Sequence, residues 1–417
     1  MGKRRLLPLT ETSIKLIDGD RGFNYPNKKD FSKNDHCLFL DSSNLTKNGF
    51  DFSSKVFISE SKDHAMGKGK LQRSDLVMNT RGTLGNIGYY TENIPYENMR
   101  INSGMLLIRG GVEYDQNFLY GFFRSKLFFS QVENIMSGSV QKQLPVWIFN
   151  FIRVPKLDIT TQQKIASVLS ALDAKIEINN KINAELEQMA KTLYDFWFVQ
   201  FDFPDANGKP YKSCGGKMIW NNELKKEIPQ GWEVKKLSSI FEFQKGVEPG
   251  SAEYLETKIN ENCIKFFRVG DIEGESSVWV DSKNKKYVNV EKRDVIVTFD
   301  GSVGKLGFGL NGAFSGGLRK IYDKNKKFDN SLVYFIFRDE RIISTIHKYA
   351  TGSILLHASG AIDHLVIPFN DVKYSEFQKN IKPIFDQMVC NKQENQELSS
   401  LRDWLLPMLM NGQVEVA

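Results

Sequence analysis

The chain has 417 residues, room for two or three domains that each bury an ordinary core. Hydrophobic residues make up 41% and aromatics 12%, yet no apolar run approaches the roughly 18 residues that a spanning helix needs, which argues against a membrane protein. A net charge of +6, from 56 basic and 50 acidic side chains, is compatible with a nucleic-acid partner and equally with many cytoplasmic proteins.

The N-terminus, Met1-Gly2-Lys3-Arg4-Arg5, is basic, but Pro8, Thr10 and Glu11 stand where the apolar stretch of a signal peptide belongs, so the expectation is a protein that is not exported. Cys37, Cys214, Cys263 and Cys390 include no close pair. That spacing suits a reducing cytoplasm better than a disulfide framework or a cysteine zinc site. Up to about Pro155, short β-like runs (Cys37 to Leu40, Val56 to Ile58, Met105 to Ile108) alternate with glycine-rich turns, and Phe118 to Ile135 has helical spacing. A long helix follows, capped by Thr160 or Thr161 and running to about Val199. Some forty residues at 1.5 Å rise make roughly 60 Å, too long for an ordinary domain element. Asp202 to Gly208 stops it with strong turn chemistry. From Pro229-Gln230-Gly231-Trp232 the pattern restarts, with strands at Cys263 to Phe267 and Val295 to Phe299 and a helical stretch from Ser331 to Tyr349. A second long helix spans about Tyr374 to Met410, with Pro383 marking either its true start or a kinked first turn.

The restart is a repeat. Ile165, Leu172, Asn179, Leu186 and Leu193 form a seven-residue seam in the first long helix, and an offset of 212 turns them into Phe377, Ile384, Asn391, Leu398 and Leu405. A seam asparagine fixes register at some cost in stability, so Asn179 and Asn391 are expected to meet as a polar pair near mid-helix. The globular parts echo each other too. Asp75, Gly82, Gly85 and Gly88 match Asp294, Gly301, Gly304 and Gly307, Ser137-Gly138-Ser139 answers Thr351-Gly352-Ser353, and Pro155 answers Pro368. The fold class that follows is α+β: an internal duplication of an α/β globular domain plus a long helix, with the two long helices paired as an antiparallel coiled coil.

Catalytic patterns are weak. Gly307-Phe308-Gly309-Leu310-Asn311-Gly312 fits the dinucleotide fingerprint in letters, but Ala313-Phe314-Ser315-Gly316-Gly317 opens no helix for a pyrophosphate. Asp205, Glu223 and Lys225 resemble the acidic cluster of a magnesium-dependent nuclease, though neither module repeats the arrangement. No phosphate loop and no adjacent prolines occur, and His357 with His364 lacks a third metal ligand. What remains suits a polyanion: Lys68, Lys70, Arg73 and Arg81 in the first module, and Lys283, Lys285, Lys286, Arg293, Lys305, Arg319 and Lys320 in the second. Gln141, Lys142 and Gln143 after the Ser-Gly-Ser turn concentrate amide and ammonium donors that could read base edges, and His357 is a further DNA-binding candidate. Three readings therefore stand: a DNA-recognition protein, a stand-alone nuclease or methylase using Asp205, Glu223 and Lys225, and a protein-binding scaffold.

Several stretches resemble the specificity subunits of type I restriction–modification systems. Thr161-Gln162-Gln163-Lys164-Ile165-Ala166 through Leu193-Tyr194-Asp195-Phe196-Trp197-Phe198 is similar to that family's central helical region. Ile228-Pro229-Gln230-Gly231-Trp232-Glu233-Val234-Lys235-Lys236-Leu237 resembles its usual start of a target-recognition domain, and Leu405-Leu406-Pro407-Met408-Leu409-Met410-Asn411-Gly412-Gln413-Val414 its C-terminal signature. Arg268-Val269-Gly270-Asp271-Ile272 is a smaller match, and the first module departs in lacking the Trp-Glu-x-x-Lys-Leu opening of its sibling. The resemblance implies a recognition domain at 1–156, a central helix at 157–200, a linker at 201–227, a second recognition domain at 228–371 and a C-terminal helix at 372–413. It further implies a cytoplasmic subunit without catalysis or bound cofactor of its own. Each domain would read half of a bipartite double-stranded DNA target, and the helices would set the spacer and dock two methylation subunits that use S-adenosylmethionine. Two restriction subunits, using ATP and magnesium, can join such a complex.

Overall fold

The computed structural model describes residues 5–46, 49–136, 143–272, 276, 278–283, 286–352 and 356–416. The chain forms two compact units, Met1–Ile176 with Glu397–Ala417, and Glu177–Gln396, so that each long helix contributes to both.

In the first unit an antiparallel sheet has the order Lys15–Asp18, Met105–Arg109, Leu76–Asn79, Ile87–Tyr89. Its central strands are buried except at Arg109, because alternate side chains serve two cores. Leu76, Met78, Leu106 and Ile108 face the phenylalanine-rich helices Gln116–Phe123 and Lys126–Met136. Val77, Met105 and Leu107 face a second sheet, in which Cys37–Leu40 runs antiparallel to Phe57–Ile58 and parallel to Met99–Ile101.

The second unit repeats this plan. Its sheet order is Glu242–Lys245, Leu318–Tyr322, Val295–Thr298, Leu306–Gly307, and Cys263–Phe267 runs antiparallel to Trp279–Asp281 and parallel to Gly312–Phe314. A terminal strand pair closes each module, Leu6–Pro8 on Arg153–Pro155 and Glu233–Lys236 on Val366–Phe369. Leu7 faces Val154 as Lys235 faces Ile367, and the buried Leu9 and Leu237 follow. Leu6-Leu7-Pro8-Leu9 thus stands where the second module has Val234-Lys235-Lys236-Leu237, which supplies the opening that the first module's sequence hides.

The first long helix runs Ile159–Tyr194 and ends in a π-helical turn, Asp195–Val199. Its cap is Asp158, not Thr160 or Thr161: the Asp158 carboxylate accepts the Thr161 N–H at 2.9 Å and its hydroxyl at 2.7 Å. A charged acceptor at that position holds two donors where a threonine holds one. The second long helix runs Asp371–Asn411, so Pro383 lies inside it rather than at its start.

Within each unit the two helices pair antiparallel. In the first unit Ile165 and Leu169 join Leu406, Leu409 and Met410 in the core, and Asp173 accepts from Arg124 at 2.6 Å and Arg402 at 2.7 Å. In the second, Tyr194 and Phe198 meet Phe377 with ring centroids 5.9 and 4.9 Å apart. Buried Asn179 and Asn391 do not bond to each other. Asn179 donates to Asn395 at 2.9 Å and to Glu394 at 2.7 Å, while Asn391 donates to Asn183 at 2.8 Å. Asn183 and Asn395 are themselves separated by 212 residues, so the 179–395 and 391–183 contacts are one bond repeated by the duplication. In an antiparallel pair the residue facing Asn179 is one turn beyond its own copy, which is why the expected pair is displaced.

Candidate nucleic-acid interface

The repeated glycines shape one turn in each module. In the first it links Leu76–Asn79 to Ile87–Tyr89, and in the second Val295–Thr298 to Leu306–Gly307. Gly82 and Gly85 (φ 74° and 77°), like Gly301 and Gly304 (70° and 82°), occupy left-handed backbone that a side chain would strain. The third glycine answers a different need, since a Cβ on Gly88 would lie 2.6 Å from Leu45 and one on Gly307 would lie 2.4 Å from Ile272. Fully buried side chains brace both turns. Asn79 donates to the Ser42 carbonyl at 2.9 Å and to Thr83 Oγ1 at 2.8 Å, and Thr298 Oγ1 accepts the Lys305 N–H at 2.9 Å.

A second segment is stitched to each turn. The Leu144 N–H donates to the Thr80 carbonyl at 2.8 Å, and the Ala358 N–H to the Phe299 carbonyl at 2.7 Å. Isolated β-bridges then place Arg81 opposite Gln143 in one module and Asp300 opposite His357 in the other. The two bridges are equivalent, since Arg81 and Asp300 follow the same glycine register while Gln143 and His357 occupy matching places in the sequence after Ser137-Gly138-Ser139 and Thr351-Gly352-Ser353. The backbone is common to both and the side chains differ.

The structure sorts the other basic candidates by what they touch. Lys70 is ion-paired to the buried Asp63 at 2.5 Å, and Arg73 donates to the carbonyls of Thr91 and Ile94 at 2.7 and 3.0 Å. Arg319 is buried, with hydrogen bonds to Gly316, Leu318 and Ser359, and burial pulls its guanidinium below the ordinary value. Lys320 donates to the Asn289 carbonyl at 2.9 Å and pairs with Asp294 at 3.3 Å, while Arg293 pairs with Asp329 at 2.9 Å. Lys286 holds Glu253 at 2.8 Å; with the Gly250 N–H and the Tyr287 hydroxyl it draws that carboxyl down to about 2. Lys68, Arg81, Gln143, Lys283, Lys305 and His357 are exposed. Gln141, Lys142 and Lys285 lie outside the described residues.

Two possible metal arrangements are engaged elsewhere. His36, Asp63 and His64 bring ligand atoms within 4.8 Å of one another, but the Asp63 oxygens already hold Arg100 at 2.8 Å and Lys70 at 2.5 Å. A divalent cation there would have to displace two cations. Asp205 spends its Oδ1 on the Asn207 and Lys209 N–H groups at 2.8 and 2.9 Å, and no hydrogen bond or ion pair among the described residues joins it to Glu223 or Lys225. His364 stacks on Tyr349 at 3.8 Å. Sequence reasoning passed over Asp300, which holds His357 Nδ1 at 2.8 Å, although its glycine register matched that of Arg81.

The sequence model of the type I restriction modification DNA specificity domain matches residues 21–188 and again 229–399. Among curated proteins, the type I restriction enzyme MjaIX specificity subunit of Methanocaldococcus jannaschii is 27% identical over 311 residues, 72% of this chain and 69% of that one. The HindI specificity subunit of Haemophilus influenzae is 22% identical over 319 residues, covering 62% and 68%. A solved type I restriction–modification S subunit from M. genitalium overlays 97% of this chain and 96% of its own with a TM-score of 0.48 and 15% identity.

Proposed function

The chain belongs to the type I restriction modification DNA specificity family, and we propose that each of its two modules reads one half of a bipartite duplex target through the glycine-turn face. It is the specificity subunit of such a system and supplies recognition, not chemistry. The observation that carries the finer reading is the pair of equivalent bridges: one rigid backbone, repeated, with different side chains at the same exposed points. A protein that must recognise two different short sequences with one ancestral domain needs that arrangement. Phosphate contacts from Lys68, Lys283 and Lys305 would supply affinity, and the bridge residues would supply discrimination.

The long helices, each shared by both units, set the spacing of the half-sites and carry two methylation subunits, with two restriction subunits joining those. S-adenosylmethionine then resides on the methylation subunits, and ATP and magnesium on the restriction subunits. The test lengthens both helices by four residues, after Ile176 and after Gln396, and maps methylated adenines. Four residues add roughly 6 Å, close to two base-pair steps of 3.4 Å. Retained half-sites with a spacer longer by about two base pairs support the reading; an unchanged spacer refutes it.

A further inference from the structure

We propose that the four bridge residues determine specificity: Arg81 with Gln143 for the half-site of the first module, and Asp300 with His357 for that of the second. This rests on the reading of the chain as a DNA-specificity subunit and adds which atoms discriminate.

Positive-φ glycines, a bridging N–H to carbonyl bond and a buried brace fix each turn, so the bridge side chains leave from a defined origin. Rigid presentation limits the side-chain entropy lost on binding and makes a base contact discriminating. Arg81 and Gln143 are exposed, and in the second module His357 is 57% and Asp300 22% exposed. Both members of each pair are therefore reachable, although Asp300 also acts on the buried Arg319 guanidinium.

The chemistry of the two pairs is opposite. Arg81 carries only donors and can span guanine O6 and N7, while the Gln143 amide can both accept from N6 and donate to N7 of adenine. A carboxylate carries only acceptors, so Asp300 can take a hydrogen bond from the N4 amino group of cytosine or the N6 amino group of adenine and is repelled by phosphate. Its 2.8 Å contact with His357 Nδ1 orients the imidazole and leaves Nε2 as the second polar atom of the pair. The structure thus assigns a donor-led purine contact to the first half-site and an acceptor-led amino-group contact to the second. A carboxylate is a poor residue for merely holding DNA, so its equivalence to an arginine at this position points to base reading rather than to generic affinity.

The test uses the full chain in cells that lack the wild-type copy and contain its methylation subunit, with methylated motifs mapped genome-wide. Asp300→Ala should lower discrimination at one base pair of the second half-site by about 5- to 150-fold, the range for one good base contact, and leave the first half-site intact. Arg81→Ala and Gln143→Ala should do the reverse. The exchange Asp300→Arg with His357→Gln should move the second half-site toward the base preference of the first. Unaltered melting of the purified variants separates a change of reading from a loss of fold, and the unaltered half-site serves as an internal control. The proposal is overturned if these variants keep both half-sites, or if each variant degrades both halves alike. If the wild-type chain itself directs methylation to no bipartite motif, the reading of its function fails instead.

Discussion

Asp63→Asn should selectively destabilise the first unit. Asp63 is fully buried, and its two oxygens hold the Arg100 Nε at 2.8 Å and the Lys70 Nζ at 2.5 Å. Burial by itself would raise this carboxyl, but the Lys70 and Arg100 hydrogen bonds outweigh that and hold its pKa below the ordinary value. The substitution is nearly isosteric, so no cavity opens, and what is lost is the charge opposite a guanidinium that is only 4% exposed. Leaving one partner of a buried pair alone costs about 3–5 kcal/mol. Arg100 keeps the carbonyls of residues 63 and 68 as acceptors, and Lys70 is 43% exposed, so the lower end, about 3 kcal/mol, applies. The loss falls where Met99–Ile101 pairs with Cys37–Leu40. Because the folded pKa is depressed, the stability from Asp63 is present above the ordinary carboxylate range and fades as pH falls through the folded value. Hydrogen exchange resolved by segment, at neutral pH and again under acid, is the assay: amides of residues 37–40 and 99–101 should lose protection, those of 263–267 should not, and the variant should show a flatter acid limb. Equal protection in variant and wild type at neutral pH would refute the ion-pair reasoning.

Asn391→Leu alone takes the donor from Asn183 Oδ1, whose Nδ2 still reaches the Met388 carbonyl, and should destabilise by about 1–3 kcal/mol. Combined with Asn183→Leu, the change should restore or raise the melting temperature while the mapped methylation spacer becomes mixed, since register is then less well specified. Cys214 and Cys390 are exposed and should react quickly with a thiol reagent at mild alkaline pH, whereas Cys37, whose thiol is pushed up to about 12 by burial and then by neighbouring Asp63, should stay unreacted until the chain unfolds. Fast labelling of Cys37 in the folded chain would show that its site opens.

The duplication was legible because its marks are periodic: an apolar seam every seven positions with one asparagine in each copy, and glycines that only special backbone explains. The strand Met99–Ile101 was not, because three residues with Arg100 at the centre look polar, and only the buried Asp63 makes that arginine a core residue. The opening strand Leu6–Pro8 was hidden in the same way, since its identity rests on the Leu7 to Val154 pairing and not on any residue it shares with its sibling. For the interface, charge alone misleads. Arg319 and Arg81 are the same residue type near equivalent sheets, yet one saturates carbonyls inside the module and the other stands on the turn. Exposure and partners separate them, and sequence carries neither. The offset of the bridge residues was available in the sequence, but the meaning of that offset needed the bridge.

The same duplication poses a hazard that the helices themselves must answer. Because the seams repeat, the first long helix of one chain could pair with the first long helix of another in place of its own second helix. The asparagine layer does not prevent this, since Asn179 would then face a second Asn183 and the polar match would survive. Asp173 and Arg402 break the equivalence. Their copies at an offset of 212 are Phe385 and Ala190, both fully buried. In the wrong pairing Asp173 would face alanine in place of Arg402, and Arg402 would face phenylalanine in place of a carboxylate. Asp173 is 28% and Arg402 19% exposed, so the loss is that of a partly buried charged hydrogen bond, about 1–3 kcal/mol for each. The asparagines therefore fix how far the helices slide, and the ion clasp fixes which helices meet. The long helices pair within one chain rather than between chains because the halves of the repeat are not quite the same.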